Sequence, residues 1–116
     1  MNISDVTTIC ENRDFRRLYN RGKFFVHPAL CTYVMKNRYR QSRIGITAGK
    51  KVGNAVLRNR SRRIIREGFR AVCPQFKDGF DIVFVARGKT PFQKSTDIAG
   101  AIEKSLTALG LAKQSR

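Results

Sequence analysis

Few side chains in this 116-residue chain could do covalent or metal chemistry, and those few are scattered. The carboxylates are Asp5, Glu11, Asp14, Glu67, Asp78, Asp81, Asp97 and Glu103, with no D-x-D or comparable pair among them. A protein nuclease needs a general base or clustered carboxylates that hold metal ions. The expectation is therefore that no residue is catalytic and that the chain itself binds no metal. Asp78 and Asp81 bracket a turn into a strand and read as turn and solvent residues, and His27, before Pro28, reads as a loop residue. Cys10, Cys31 and Cys73 are far apart and lack C-x-x-C spacing, which points to reduced thiols rather than zinc, redox or disulfide roles.

What the chain has in quantity is positive charge: 24 Lys and Arg against 8 acidic residues, a net +16. A field this strong on a small chain attracts nucleic acid, and counterion release on binding drives affinity without regard to sequence. An anionic membrane is the weaker partner, because no run of 18 apolar residues exists and the basic residues are spread along the chain. Met1 to Cys10 lacks the charged and apolar regions of a signal peptide. A cytoplasmic protein without a membrane partner is expected.

The cations concentrate in Asn54 to Val72, NAVLRNRSRRIIREGFRAV, where Arg58, Arg60, Arg62, Arg63, Arg66 and Arg70 face only Glu67 in opposition. At about 100° per residue, a helix here gathers Leu57, Ser61, Ile64, Ile65, Gly68 and Val72 on a core face. Arg58, Arg62, Arg66 and Arg70 then form a stripe at i, i+4, i+8 and i+12, flanked by Asn59 and Arg63. Like charges four apart cost a few tenths of a kcal/mol per pair. A solvated face normally mixes signs, whereas near-exclusive arginine offers planar forks that pair bidentately with phosphate. The preceding Gly49-Lys50-Lys51-Val52-Gly53 adds two cations beside a helix N-terminus that favours anions.

The elements that must hold this helix follow from periodicity. Asn12 reads as the N-cap of a short helix with Phe15, Leu18 and Tyr19 at i, i+3 and i+4, ending at Gly22. Pro28 to Lys36 reads as a strand, and Arg43 to Ala48 as a second with one buried face, expected to pair antiparallel with the first. Asn54 caps the arginine helix, and Pro74 stops it. After a D-G turn at Asp78 and Gly79, Phe80 to Ala86 should be a strand buried on both faces. A last helix begins near Ser95 to Asp97, buries Ile98, Ala101, Ile102, Leu106 and Leu109, and ends at Gly110. The order α, β, β, α, β, α makes an α/β (α+β) two-layer sandwich, one domain over 1–116 with residues 1–10 as a flexible tail.

Lys50 to Arg70, KKVGNAVLRNRSRRIIREGFR, resembles the signature of the bacterial ribonuclease P protein family. ENRDFRRLYNRGKFF at Glu11 to Phe25 is similar to that family's first helix and loop, and GFDIVFVARG at Gly79 to Gly88 to its last strand. The resemblance implies the protein subunit of a ribonucleoprotein endonuclease in which RNA is catalytic. Its partners would be the catalytic RNA and precursor tRNA, whose 5′ leader is removed by hydrolysis that depends on magnesium held by the RNA. No obligate protein partner is implied. The resemblance further implies one mixed sheet with a left-handed crossover through the arginine helix, where pattern alone predicts a right-handed one.

By the same similarity Lys50, Lys51, Arg58, Asn59, Arg60, Arg62, Arg63 and Arg66 face the catalytic RNA and the start of the leader, with Arg70 extending the stripe. Phe15, Tyr19 and Tyr33 would line a cleft for the single-stranded leader. Stacking on aromatics suits that task, since every base exposes a π face. Packing within the core is the competing role for Phe15 and Tyr19. The chain departs from the family in its first ten residues, which carry no Lys or Arg, and in Gly49 and Arg62, where serine and lysine are common. Two other functions remain open: a ribosomal-type or DNA-binding basic protein without a processing role, and an autonomous nuclease.

Overall fold

The most apolar strand sits at the centre of the sheet, where both of its faces can be covered. The structure, a computed structural model, describes residues 1–113. In chain order it contains β1 (Thr7–Thr8), α1 (Asn12–Arg21), β2 (Lys23–Val26), β3 (Leu30–Lys36), β4 (Arg43–Thr47), α2 (Ala55–Val72), β5 (Phe80–Ala86) and α3 (Ser95–Ala108). The five strands lie in the order β1-β4-β5-β3-β2. β5 runs antiparallel to β3 and parallel to β4, so α2 is the crossover between two adjacent parallel strands.

This arrangement corrects the expected pairing of Arg43 to Ala48 with the strand before it. β5 takes the place between β3 and β4 because an almost wholly apolar strand is best buried on both sides. The polar Asn37 to Gln41 segment spans the start of β5 to reach β4. Asn37 N donates to Gly79 O at 2.8 Å, and Ser42 Oγ accepts from Gly79 N and Phe80 N at 3.0 and 3.2 Å. Gly79 itself has φ +89°, the left-handed conformation that the D-G turn requires.

Two short strands escaped the sequence pattern. β1 adds to the free edge of β4 in parallel, and β2 pairs antiparallel with the outer edge of β3. With β1 comes a further correction, for the first ten residues are packed rather than a loose tail: Met1 and Ile9 are buried, and Ile9 N donates to Ile44 O at 2.8 Å. Strands of two and four residues are too short to show alternation, so only pairing reveals them. At α1 the N-cap is Glu11 rather than Asn12, which is the first helical residue.

The sheet separates two packed layers. On one face Ile44, Ile82, Val34, Phe84 and Leu30 meet α2 and α3 in the main core. Asn54 Oδ1 accepts from Leu57 N at 3.0 Å and caps α2, as the sequence pattern predicts. Phe69, absent from the predicted core face, is fully buried with its ring 5.7 Å from that of Phe84. Helices α2 and α3 approach closely because Gly68 has no side chain: a Cβ there would lie 3.0 Å from Ala99 N. α3 ends with Gly110 at φ +88° and Leu111 N donating to Leu106 O, a Schellman-type stop. Among the described residues the opposite face carries α1 and a smaller cluster of Ile9, Leu18 and Val83.

Candidate nucleic-acid interface

α2 presents its cations to solvent because its other side is fully used in packing. Ser61, Ile64, Ile65, Gly68, Phe69 and Val72 are buried, while Asn59, Arg60, Arg63, Arg66 and Arg70 are exposed. The i, i+4 row drifts by about 40° per step on a 3.6-residue helix. Arg58 and Arg62 therefore sit half-buried at the core boundary, and Arg66 and Arg70 stand clear of it. Arg62 Nη1 donates to Asn59 Oδ1 at 3.0 Å, whereas the buried Arg58 Nε has no hydrogen-bond partner among the described residues. Lys50 and Lys51 are exposed on a 3-10 turn (Lys50–Val52) between β4 and α2. That turn closes on Gly53 at φ +137°, where a Cβ would come within 2.6 Å of Leu57 Cδ1.

The aromatic residues lie on the other face of the sheet. Residues paired across strands share a face, so the register sets out three rows there. Thr47, Val85, Cys31 and Val26 form one row; Gly45, Val83, Tyr33 and Phe24 the next; Arg43, Asp81 and Met35 the third. α1 packs over β3 and β5, reaches β4 through the Phe15 ring above Gly45, and leaves Phe24 and Val26 of β2 exposed. Tyr19 and Tyr33 pack edge to face with centroids 5.0 Å apart, and Phe24 lies 5.8 Å from Tyr33. The Tyr19 hydroxyl sits 3.5 Å from Thr47 Oγ1.

Tyr19 and Tyr33 are thus brought together beside α1, where the leader cleft was expected, with Tyr19 at 40% and Phe24 at 62% exposure. Phe15 is on the same flank of α1 but turned inward, and its ring occupies the space above Gly45, where a Cβ would lie 2.6 Å from it. Phe24 and Val26 escaped the sequence reading, because KFFV is apolar on both faces and only its pairing with β3 shows which side chains join Tyr33. The cleft and the arginines of α2 lie on opposite faces, joined at one end: Thr47 closes a cleft row, and Lys50 follows three residues later.

The third row contradicts the reading of Asp81 as a solvent residue. Asp81 is buried and receives Arg43 Nε and Nη2 at 2.9 and 2.6 Å and Asn37 Nδ2 at 2.9 Å. Burial alone would push its carboxyl up in pKa, but these hydrogen bonds and the Arg43 charge outweigh it and hold it below the usual range. Arg43 is correspondingly held protonated, chiefly by its Asp81 hydrogen bond. Asp14 of α1 is also buried, 3.5 Å from Arg43 Nη1 and 2.8 Å from Arg17 Nη2. The two buried carboxylates are therefore consumed by arginines. Among the described residues no group of three or more His, Cys, Asp or Glu side chains gathers as a metal site. Cys10, Cys31 and Cys73 are free thiols, and His27 Nδ1 accepts from Ala29 N at 3.0 Å in the β2–β3 loop.

A mixed sheet with helices on both faces, an arginine helix and an aromatic cleft define a basic α+β protein of the nucleic-acid-binding class. The sequence model of the ribonuclease P family matches residues 4–110. The ribonuclease P protein component of Clostridium novyi is 42% identical over 105 residues, covering 89% of this chain and 93% of that protein. The ribonuclease P protein of Staphylococcus aureus superposes with a TM-score of 0.79 at 31% identity, over 91% of this chain and 97% of that one. That of Thermotoga maritima gives 0.74 at 28% identity, over 88% and 94%. The chain belongs to the ribonuclease P protein component family, the protein subunits of a ribonucleoprotein endoribonuclease of tRNA processing. Membership implies an RNA partner. Among the described residues no helix is long and apolar enough to cross a membrane.

Proposed function

We propose that this chain grips the catalytic RNA of ribonuclease P through Lys50, Lys51, Arg58, Asn59, Arg60, Arg62, Arg63, Arg66 and Arg70, and passes the 5′ leader of precursor tRNA through the cleft of Tyr19, Tyr33 and Phe24. Phe15 supports that cleft from beneath α1. The observation that carries the reading is the continuity at one end of the sheet, where the cleft row ending in Thr47 runs into the lysine turn and then into α2. A strand leaving the cleft there meets phosphate-binding cations without a gap.

The chemistry in this reading belongs to the RNA. Bases in the cleft find π surfaces that tolerate any sequence, while the arginines pair with backbone phosphates. Neutralising phosphates near the cleavage point lowers the magnesium that the RNA needs to hold there. The protein acts in the cytoplasm as one RNA-binding domain, and its unpaired thiols suit that reducing compartment.

Reconstitution tests the proposal. Added to its cognate catalytic RNA at low magnesium, the chain should restore cleavage of precursor tRNA, and the chain without RNA should cleave nothing. Unchanged cleavage at low magnesium would refute the assisting role.

A further inference from the structure

We infer that the flank of α1 turned away from the cleft is a second RNA-binding surface, which takes a stretch of phosphate backbone together with one unstacked base. The choice of ligand rests on the RNA-binding reading above; the surface itself rests on separate residues. α1 has three strips. Asp14 and Leu18 are buried beneath it, Phe15 and Tyr19 lean toward the cleft, and Arg13, Arg17 and Arg21 follow one another at i, i+4 and i+8 on the far side. There they face Lys36, Arg38 and Tyr39 across a groove of about 570 Å³.

The charge balance of this groove favours a polyanion. Its floor carboxylates are already bound, Asp81 by Arg43 and Asp14 by Arg17 and Arg43. On the rim Arg13 pairs with Glu11 at 2.7 Å. Among the described residues Arg21, Lys36 and Arg38 have no carboxylate within salt-bridge distance. The row on α1 destabilises an isolated helix, as the row on α2 does, and a bound phosphate chain would reverse that cost.

Tyr39 supplies the other half of a nucleotide site. It is 62% exposed on the β3–β4 loop, yet its ring lies 5.5 Å from the Arg43 guanidinium, and its backbone N donates to Asn37 Oδ1 at 2.9 Å. An aromatic ring placed by a half-buried arginine beside a cationic groove is suited to stack an unpaired base while the arginines take its phosphates. An RNA held here and another held on α2 would lie on opposite faces of the sheet, so one chain could bridge two segments.

The test uses the full chain in two titrations across salt: binding to the catalytic RNA alone, and binding of precursor tRNA to the assembled holoenzyme. R21Q/R38Q should lower the slope of log K against log salt by roughly 1.4 to 1.8, two phosphates' worth, with the RNA that occupies the groove. Tyr39→Ala should weaken the same RNA about 5- to 150-fold with the slope unchanged. Thermal midpoints near wild type verify folding, since all three side chains are exposed. A wild-type slope for R21Q/R38Q in both titrations would overturn the inference. Arg66→Ala in the same titrations reports on α2 separately: a wild-type slope there counts against the α2 contact and leaves the groove standing.

Discussion

Both arginine-bearing helices lie against the same sheet, but they are held to it by opposite means. α2 rests on Ile64, Ile65, Phe69 and Val72, all buried among apolar neighbours, so among the described residues no ion pair takes part in holding it, and Arg60, Arg63, Arg66 and Arg70 are left exposed. The shorter α1 rests partly on charge, with Asp14 against Arg43 and Arg43 against Asp81 beneath it, beside Leu18 and the Phe15 ring over Gly45. An apolar mount is indifferent to pH and tolerant of surface change. An ionic mount is geometrically specific, and removing one partner leaves a buried charge uncompensated. The placing of Tyr19 against Tyr33 therefore depends on Arg43, which touches neither ring.

The largest break in this comparison should come from Arg43→Ala, which leaves Asp14 and Asp81 short of their shared cation and should cost about 3 to 5 kcal/mol in denaturant unfolding. Stability close to wild type would mean that α1 does not depend on the ionic mount. The mount also predicts an acid limb. Asp81 is held below its ordinary value of 3.8 in the folded state. Its contribution is thus complete above that value and is lost as pH falls through the folded-state pKa. Thermal midpoints should drop on acidification below about pH 4, and Asp81→Asn, though less stable, should show a shallower drop.

Smaller in size, and confined to binding, is the effect expected at the cleft. Tyr33→Ala should weaken precursor tRNA by about 1 to 3 kcal/mol while leaving mature tRNA and the salt slope unchanged. Equal losses for both tRNAs would return Tyr33 to a packing role. The smallest effect belongs to the apolar-mounted helix. Arg66→Ala should leave folding intact and lower the salt slope of RNA binding by about 0.7 to 0.9, one phosphate's worth.

Much of this was legible from residue order, and the exceptions have a common cause. The extent of α2, its Asn54 cap, the burial of β5 and the α3 stop at Gly110 all follow from patterns within twenty residues of chain. Phe69 escaped because its helical phase falls between those of Arg58 and Arg62, at the charged edge of the core face. Asp81 escaped because a carboxylate two residues after a D-G turn looks solvated unless Arg43, far away in sequence, is known to reach it. Phe24 escaped because its role depends on lying opposite Tyr33.

By itself the sequence determined the polyanion partner, the arginine helix and, through the Lys50 to Arg70 motif, the family. Local periodicity and net charge are properties of adjacent residues, so they survive without coordinates. Tertiary structure decided that β5 separates β3 from β4, that the first ten residues close an edge, and that Arg43 anchors α1 over the sheet. It also decided that the aromatics and the arginines of α2 occupy opposite faces. Such facts arise from strand order and register, in which distant residues compete for the same few buried places, and no local pattern records who wins.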